Sequence, residues 1–194
     1  MGEKKILTAI FPGSYNPIHI GHLALANWIC ENTDIEQLWF MVSPHNPIKS
    51  KDSLYDDEIR LQWVKDSIKG YSKFAVSDFE FHLPQPSYTI NTMKKLCEAY
   101  PDRKFVLIIG ADNWNIINRW VEWEELLTYN IYVYPRRGYE INIPEDYNTV
   151  RRINAPVIEI SSTFIRDSVK EGKDVRFFLP EAIRESFIAH ENNQ

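Results

Sequence analysis

Short apolar runs alternate with amphipathic stretches along this chain. The apolar runs, each short enough for one strand, lie in residues 6–11, 36–43, 73–81, 104–109, 131–134 and 157–160. Apolar positions at helical spacing predict helices near residues 19–28, 55–68 and 88–100, the last capped by Ser87, and a final pair of helices after residue 160. This alternation predicts an α/β fold, a doubly wound parallel sheet with helices on both faces.

Length and composition favour a single domain. The chain has 194 residues, of which 44% are hydrophobic and 13% aromatic, enough for a sizeable core. No repeat, low-complexity segment or linker divides residues 1–194, and residues 144–155 are predicted to form an irregular surface segment.

Charge and cysteine content limit the partners and the compartment. The net charge is −5 and no basic block is longer than two residues, so we expect no nucleic-acid partner. No apolar stretch is long enough to span a bilayer, and the first ends at Pro12 without a full signal-peptide core, so we expect no membrane association. Cys30 and Cys97 lie in helical patterns without paired spacing, which predicts small core residues in a reducing compartment, the cytoplasm.

Candidate chemistry is concentrated in residues 11–22, the first motif: Phe-Pro-Gly-Ser-Tyr-Asn-Pro-Ile-His-Ile-Gly-His. Gly13 lies at the bend between a predicted strand and a predicted helix, where free N–H groups and the helix dipole would face an anion. His19 and His22 can face the same anion, and Gly21 would leave room for it. The alternatives are a helix cap, a surface pair or a zinc site, although no further ligands stand at zinc spacing. The order of strand, bend and histidines predicts a phosphate cradle.

A second candidate lies in residues 160–166, Ile-Ser-Ser-Thr-Phe-Ile-Arg, the second motif. Ser161 or Ser162 would cap a helix that ends near Gly172, with Arg166 one turn into it. Alone, this pattern also suits an ordinary serine-capped helix with a solvated arginine. Because ligands of doubly wound sheets bind beyond the carboxyl ends of the strands, we expect both motifs to meet at one sheet edge and to hold one polyphosphate.

The first motif resembles the signature of the nucleotidyltransferase superfamily, whose His-x-Gly-His holds ATP phosphates. Class I aminoacyl-tRNA synthetases share it, but this chain has no Lys-Met-Ser-Lys-Ser-like stretch and no room for a tRNA-binding domain. Nearly the whole chain is similar to bacterial nicotinate-nucleotide adenylyltransferases, through residues 43–49, 86–89, 108–112 with Trp120 beyond them, 135–136 and the second motif. It departs from that family at Pro12, where the usual Gly-Gly-Thr-Phe has glycine, and at Ile48, where the family has histidine.

The resemblance implies a Rossmann-like nucleotidyltransferase fold. It also implies AMP transfer from ATP to nicotinic acid mononucleotide, giving deamido-NAD and pyrophosphate in NAD biosynthesis, with Mg²⁺. The catalytic residues would be His19, His22 and Arg166. The residues expected at ATP are Gly13, Ser14, Tyr15, His19, His22, Gly110, Asp112, Arg136, Ser161, Ser162, Thr163 and Arg166. Those expected at the second substrate are Asn16, Lys49, Tyr88, Thr89, Asp112 and Trp120. No side chain is expected to ligate the metal, because Mg²⁺ would bridge phosphate oxygens, mostly through water.

Some of these residues have simpler interpretations. Asp112 could be a helix N-cap instead of a ribose ligand, and Lys49 could be merely solvated. Of the three tryptophans Trp114, Trp120 and Trp123, at least one should pack in the core.

The chemistry of the reactants predicts the type of catalysis. The acceptor phosphate has a second pKa of about 6, so it is mostly ionised at neutral pH and needs no general base. Positioning and N–H donors would then lower the barrier, which predicts direct in-line transfer without a covalent intermediate. On this view, His19→Ala should lower turnover about 10²-fold with little effect on folding. Phosphopantetheine or nicotinamide mononucleotide as acceptor, a regulator without turnover, and a homo-oligomer remain open.

Overall fold

A computed structural model describes residues 4–44 and 54–191 as a six-stranded parallel sheet covered by helices. The strands are β1 (Ile6–Gly13), β2 (Gln37–Val42), β3 (Phe74–Ser77), β4 (Arg103–Gly110), β5 (Asn130–Tyr134) and β6 (Val150–Arg152). Their order in the sheet is β3-β2-β1-β4-β5-β6. The predicted doubly wound α/β fold is confirmed.

Helices connect the strands from β1 to β5, and two more follow β6. They are α1 (Ile20–Asn32), α2 (Asp57–Ser67), α3 (Thr89–Ala99), α4 (Ala111–Trp114), α5 (Trp123–Leu126), α6 (Ser162–Lys170) and α7 (Arg184–Glu191). Short 3-10 turns occupy Phe79–His82, Ile117–Arg119 and Glu181–Ile183. Within the described ranges, no helix has the length and apolar character needed to cross a membrane.

Each face of the sheet carries its own hydrophobic core. In β2, Leu38, Phe40 and Val42 enter the core that α1, α2, α6 and α7 cover. Trp39 and Met41 point to the opposite core, which α3, α4 and α5 cover. Because both faces are buried, the central strands are continuous apolar runs instead of alternating ones.

The edge strand β6 differs from the sequence prediction. It pairs with β5 inside residues 144–155, where we expected irregular chain. The apolar run at residues 157–160 lies in the described part of the chain but is not paired as a strand, and Val157 is half exposed. Two of the three residues of β6 are the exposed Arg151 and Arg152. An edge strand tolerates such residues because one of its sides is solvated, so hydropathy did not reveal it.

Three smaller predictions are also corrected. β3 ends at Ser77, before the 3-10 turn, and is shorter than the apolar run that predicted it. Tyr88, not Ser87, is the N-cap of α3, because its extended backbone places its carbonyl oxygen where Asn91 N donates at 2.9 Å. Cys30 is buried, but Cys97 is exposed, so only the first is a core residue.

Candidate functional site

The strand order reverses between β1 and β4, and such a reversal opens a crevice at the carboxyl ends of the two strands. A cavity of about 260 Å³, the switch-point cavity, lies there. Its lining includes the predicted site residues Gly13, Ser14, Tyr88, Thr89, Gly110 and Trp120. It also includes Ser43, Glu80, Asn113, Arg119 and Tyr134, which we did not predict.

His19 and His22 form a stacked pair at the start of α1. His19 is the N-cap of this helix, and the two ring centroids lie 3.6 Å apart at an interplanar angle of 22°. The backbone N–H of His19 donates to Nδ1 of His22 at 3.2 Å. A Cβ at Gly21 would lie 3.0 Å from Nδ1 of His19. The absence of a side chain at Gly21 therefore makes room for the His19 ring, where we expected room for a ligand.

Burial controls the protonation of His19. The side chain is only 4% exposed, and burial, assisted by the positive charge of Arg136, lowers its pKa from 6.5 to about 4. Among the described residues, its Nδ1 has no hydrogen-bond partner. At neutral pH, His19 is therefore uncharged and offers one N–H donor without a positive charge.

Tyr15 supports this pair from the core. Its side chain is 2% exposed, its hydroxyl donates to the carbonyl of Phe11, and its ring lies against His22 with centroids 5.0 Å apart. A Cβ at Gly13 would lie 2.9 Å from the Tyr15 ring. The side chain of Tyr15, predicted at ATP, packs beneath the histidines in the structure.

The second motif contacts the first, as the sequence predicted. Arg166 Nη1 donates to the carbonyl of Asn16, and Ser162 Oγ donates to the carbonyl of Pro17 at 2.9 Å. Ser161 is the N-cap of α6, since its side chain accepts from the N–H of Phe164 at 3.1 Å. The start of α6, including the exposed Thr163 at its second position, therefore lies beside the start of the first motif.

Asn16, predicted at the second substrate, is buried beside the first motif. Its side chain is 2% exposed, and Oδ1 accepts from the N–H of Tyr55 at 3.0 Å. Asn16 thus joins the first motif to the chain entering α2.

Asp112 and Arg136 lie at the ends of neighbouring strands. Asp112 is the second residue of α4, whose N-cap is Gly110, so the N-cap alternative for Asp112 does not apply. Its Oδ1 lies 3.6 Å from Nε of Arg136 and has no hydrogen-bond partner within the described chain. A Cβ at Gly110 would lie 2.3 Å from that same oxygen, so this glycine allows the carboxylate to fold back over the end of β4.

The side of the cavity near α3 carries the predicted acceptor residues. Tyr88 and Thr89 form the start of α3, where backbone N–H groups lack intrahelical partners. Trp120 is half-buried, whereas Trp114 packs in the core and donates from Nε1 to the carbonyl of Asn142 at 2.9 Å. Lys49 lies outside the described residues, as does Ile48.

Two ionisable residues of the cavity lining were not predicted from the sequence. Glu80 is 6% exposed, and its Oε1 accepts from the hydroxyl of Thr92 at 2.9 Å, while burial raises the pKa of its carboxyl group. Arg119 is exposed and directly precedes Trp120. A charge inside an apolar run at residues 73–81 was the available signal for Glu80, and adjacency to Trp120 was the signal for Arg119.

Comparisons with known proteins agree with this geometry. The model of the cytidylyltransferase-like family matches residues 10–168. A protein of Bacteroides fragilis named as a probable nicotinate-nucleotide adenylyltransferase is 52% identical over 185 residues, covering 95% of this chain and 92% of its own. A protein of the same name from Flavobacterium johnsoniae is 46% identical over 186 residues, covering 94% and 96%. The structure of Plasmodium falciparum nicotinic acid mononucleotide adenylyltransferase complexed with NaAD has the same fold, with a TM-score of 0.79, 22% identity and 96% of both chains covered.

Proposed function

This chain belongs to the nicotinate-nucleotide adenylyltransferases of the cytidylyltransferase-like family, and we propose that it transfers AMP from ATP to nicotinic acid mononucleotide. The products are deamido-NAD and pyrophosphate, a step of NAD biosynthesis. The observation that carries the proposal is the contact between the two motifs beside the switch-point cavity, because it brings polyphosphate donors and an acceptor pocket together.

The first and second motifs would hold the triphosphate. His19 and His22 donate to the α- and β-phosphates, and Arg166 holds the β,γ-pyrophosphate together with the N–H groups at the start of α6. A helix start supplies unpaired N–H groups and a positive dipole end, and arginine supplies a permanent charge. Ser161 and Thr163 border this anion site, and Gly110, Asp112 and Arg136 border the nucleoside.

The opposite side of the cavity would hold the acceptor. The start of α3 at Tyr88 and Thr89 offers N–H groups to the pyridine carboxylate, and the half-buried Trp120 offers a ring face to the pyridine. Arg119, which the structure adds to the cavity lining, supplies positive charge beside that carboxylate. These donors favour an acid over an amide, because only the acid accepts at both oxygens.

The reaction needs no nucleophilic side chain. An oxygen of the ionised acceptor phosphate forms a bond to the α-phosphorus of ATP, while the bond from that phosphorus to the bridging oxygen breaks and pyrophosphate leaves with that oxygen. Both reactants are anions, so catalysis consists of orienting them in line and of placing donors on the charge that develops. The buried, uncharged His19 donates a hydrogen bond without needing a proton from solvent.

Magnesium would enter with the nucleotide. Within the described chain, no three His, Cys, Asp or Glu side chains form a group that could hold a metal ion. Mg²⁺ at a nucleotide would keep several waters and take one or two carboxylates besides the phosphates, so it does not require a group of three such side chains. When bound, Mg²⁺ neutralises part of the charge of the triphosphate.

Pyrophosphate release tests the proposal. The purified chain is given ATP and Mg²⁺ with nicotinic acid mononucleotide, its amide or phosphopantetheine, and we expect the fastest release with the acid. As a matched control, Arg166→Ala purified in the same way should release pyrophosphate about 10²-fold more slowly, because it lacks one transition-state donor.

Other outcomes of this assay would contradict the proposal. If pyrophosphate release were fastest with phosphopantetheine or with the amide, that compound, and not the acid, would be the acceptor. ATP binding without release from any acceptor would favour a nucleotide-binding regulator. Equal release by the Arg166→Ala preparation would trace the activity to a contaminant.

The proposal includes a cytoplasmic location. It is supported by the two free cysteines, one of them exposed, since exposed thiols persist in a reducing compartment. ATP and nicotinic acid mononucleotide would be the partners of the chain.

A further inference from the structure

Arg60 of α2 is a buried charge whose hydrogen bonds are all made inside the protein. Its side chain is 0% exposed. A buried guanidinium is costly unless each of its five N–H groups finds an acceptor and its charge is balanced. The acceptors around Arg60 therefore indicate what this costly residue holds together.

Five acceptors surround the five N–H groups. Nε donates to the carbonyl of Tyr55 at 2.9 Å, and Nη1 donates to the carbonyls of Ser14 and of Ser43, the latter at 2.9 Å. Nη2 donates to the carbonyl of Pro44 at 3.2 Å and to the carboxylate of Asp57. Four of the five acceptors are thus backbone carbonyls, taken from the segments after β1, after β2 and before α2.

Two of these segments form walls of the switch-point cavity. Ser14 belongs to the first motif, and Ser14 and Ser43 both line the cavity. Ser43 shares that lining with Glu80, whose carboxylate accepts from the hydroxyl of Thr92 in α3. Arg60 therefore ties the end of β1, on the nucleotide side, to the end of β2, whose Ser43 lies in the same cavity lining as Glu80 and the start of α3.

We propose that Arg60 is a positioning residue that sets the distance between the nucleotide-binding and acceptor-binding walls of the cavity. The inference rests on the proposed function, since the two walls matter together only if both reactants bind there. Lysine cannot replace this residue, because an ammonium group has three donors and no planar fork that reaches all these carbonyls at once.

Arg60→Lys tests the proposal against a matched variant, Arg103→Lys. Arg103 also connects strands, through Thr8 Oγ1 at 2.9 Å and Gln37 Oε1 at 2.7 Å, but it does so at the amino ends of β1, β2 and β4. Both variants should lower the melting temperature. Only Arg60→Lys should lower kcat, by about 10²-fold in protein shown by circular dichroism to be folded, because the reacting groups are misaligned.

Each outcome decides the inference. If folded Arg60→Lys has the kcat and both KM values of wild type, or if Arg103→Lys loses kcat equally, Arg60 has a merely structural role. If Arg60→Lys does not fold, Asp57→Asn replaces it, because it removes the carboxylate acceptor from a half-exposed position. A kcat lowered about threefold or more would then support the proposal, and an unchanged kcat would overturn it. Wild type without activity would contradict the proposed function instead.

Discussion

At the residue scale, burial changes what the two histidines can do. The sequence predicts two donors that face an anion, but it does not reveal that His19 is buried and stacked on His22. Desolvation keeps His19 uncharged near neutral pH, so its proposed contribution to phosphate binding is a hydrogen bond. The expectation that His19→Ala leaves folding unaffected also changes, because removing a buried ring leaves a cavity beside Gly21.

The depressed pKa of His19 predicts a pH-dependent stability. Between pH 6.5 and pH 4, the unfolded chain binds a proton at His19 that the folded chain does not bind. The free energy of unfolding therefore falls as the pH falls through this window. Between pH 7 and pH 5, the free energy of unfolding of wild type, measured with urea, should fall by about 2 kcal/mol more than that of His19→Asn. If the free energies of unfolding of His19→Asn and wild type change in parallel with pH, the lowered pKa of His19 is refuted.

The same residue carries a prediction about turnover. His19→Asn keeps a polar side chain at the start of α1 but removes the imidazole N–H, and it should lower kcat about 10²-fold with a smaller change in the KM for ATP. Steady-state pyrophosphate release measures both constants. A kcat equal to that of wild type in folded His19→Asn would remove His19 from the reaction.

At the element scale, the start of α6 has a structural and a proposed functional role. Ser161 caps the helix, and Ser162 attaches it to the carbonyl of Pro17. The serine-rich pattern predicted this helix start correctly, because side-chain capping is a local interaction. The edge strand β6 was not predicted from the sequence, because its pairing with β5 depends on residues distant in sequence.

Substitutions at Ser161 should separate these two roles. Ser161→Ala removes the bond to Phe164 N–H and should lower the free energy of unfolding by about 1 kcal/mol. Ser161→Asp keeps a capping oxygen, so its stability should match wild type, but its negative charge should repel the triphosphate and raise the KM for ATP. Urea unfolding and initial rates measure the two effects. An unchanged KM in Ser161→Asp would mean that the phosphates bind elsewhere.

At the scale of the whole molecule, the site depends on contacts between distant parts of the chain. Arg166 and Asn16 are 150 residues apart in sequence, and Tyr55 bonds Glu191 of the last helix across 136 residues. A ligand that bridges the two motifs would therefore oppose the separation of both ends of the fold. Its binding should stabilise the protein as one unit and not only a local loop.

ATP binding tests this coupling. In the absence of acceptor and at a concentration 100 times its measured Kd, ATP with Mg²⁺ should raise the free energy of unfolding by about 2.7 kcal/mol and preserve a single transition in urea. Arg166→Ala at the same ATP concentration should gain much less, because it lacks one of the bridging contacts. Two separate transitions, with only one shifted by ATP, would show that the ligand stabilises just part of the molecule.

Much of the fold and part of the site could be predicted from the sequence. Apolar runs buried on both faces identified the central strands, and the two motifs pointed to one edge of the sheet. Glu80 and Arg60 were not predicted as site residues, because their positions beside the cavity depend on tertiary contacts, of Glu80 with Thr92 and of Arg60 with Ser14 of the first motif. Tyr15 and Asn16 lie inside a motif, and only the structure shows that both side chains are buried.

By itself, the sequence determined the parallel α/β fold, the capped helix of the second motif and the chemical types of the residues proposed to surround the phosphates. These follow from hydrophobic periodicity, turn residues and short-range hydrogen bonds, which act between neighbours in sequence. Only the tertiary structure decided which side chains are buried, the protonation of His19 and the connection of the cavity walls through Arg60. Those properties depend on desolvation and on hydrogen bonds between segments that meet only after the chain has folded.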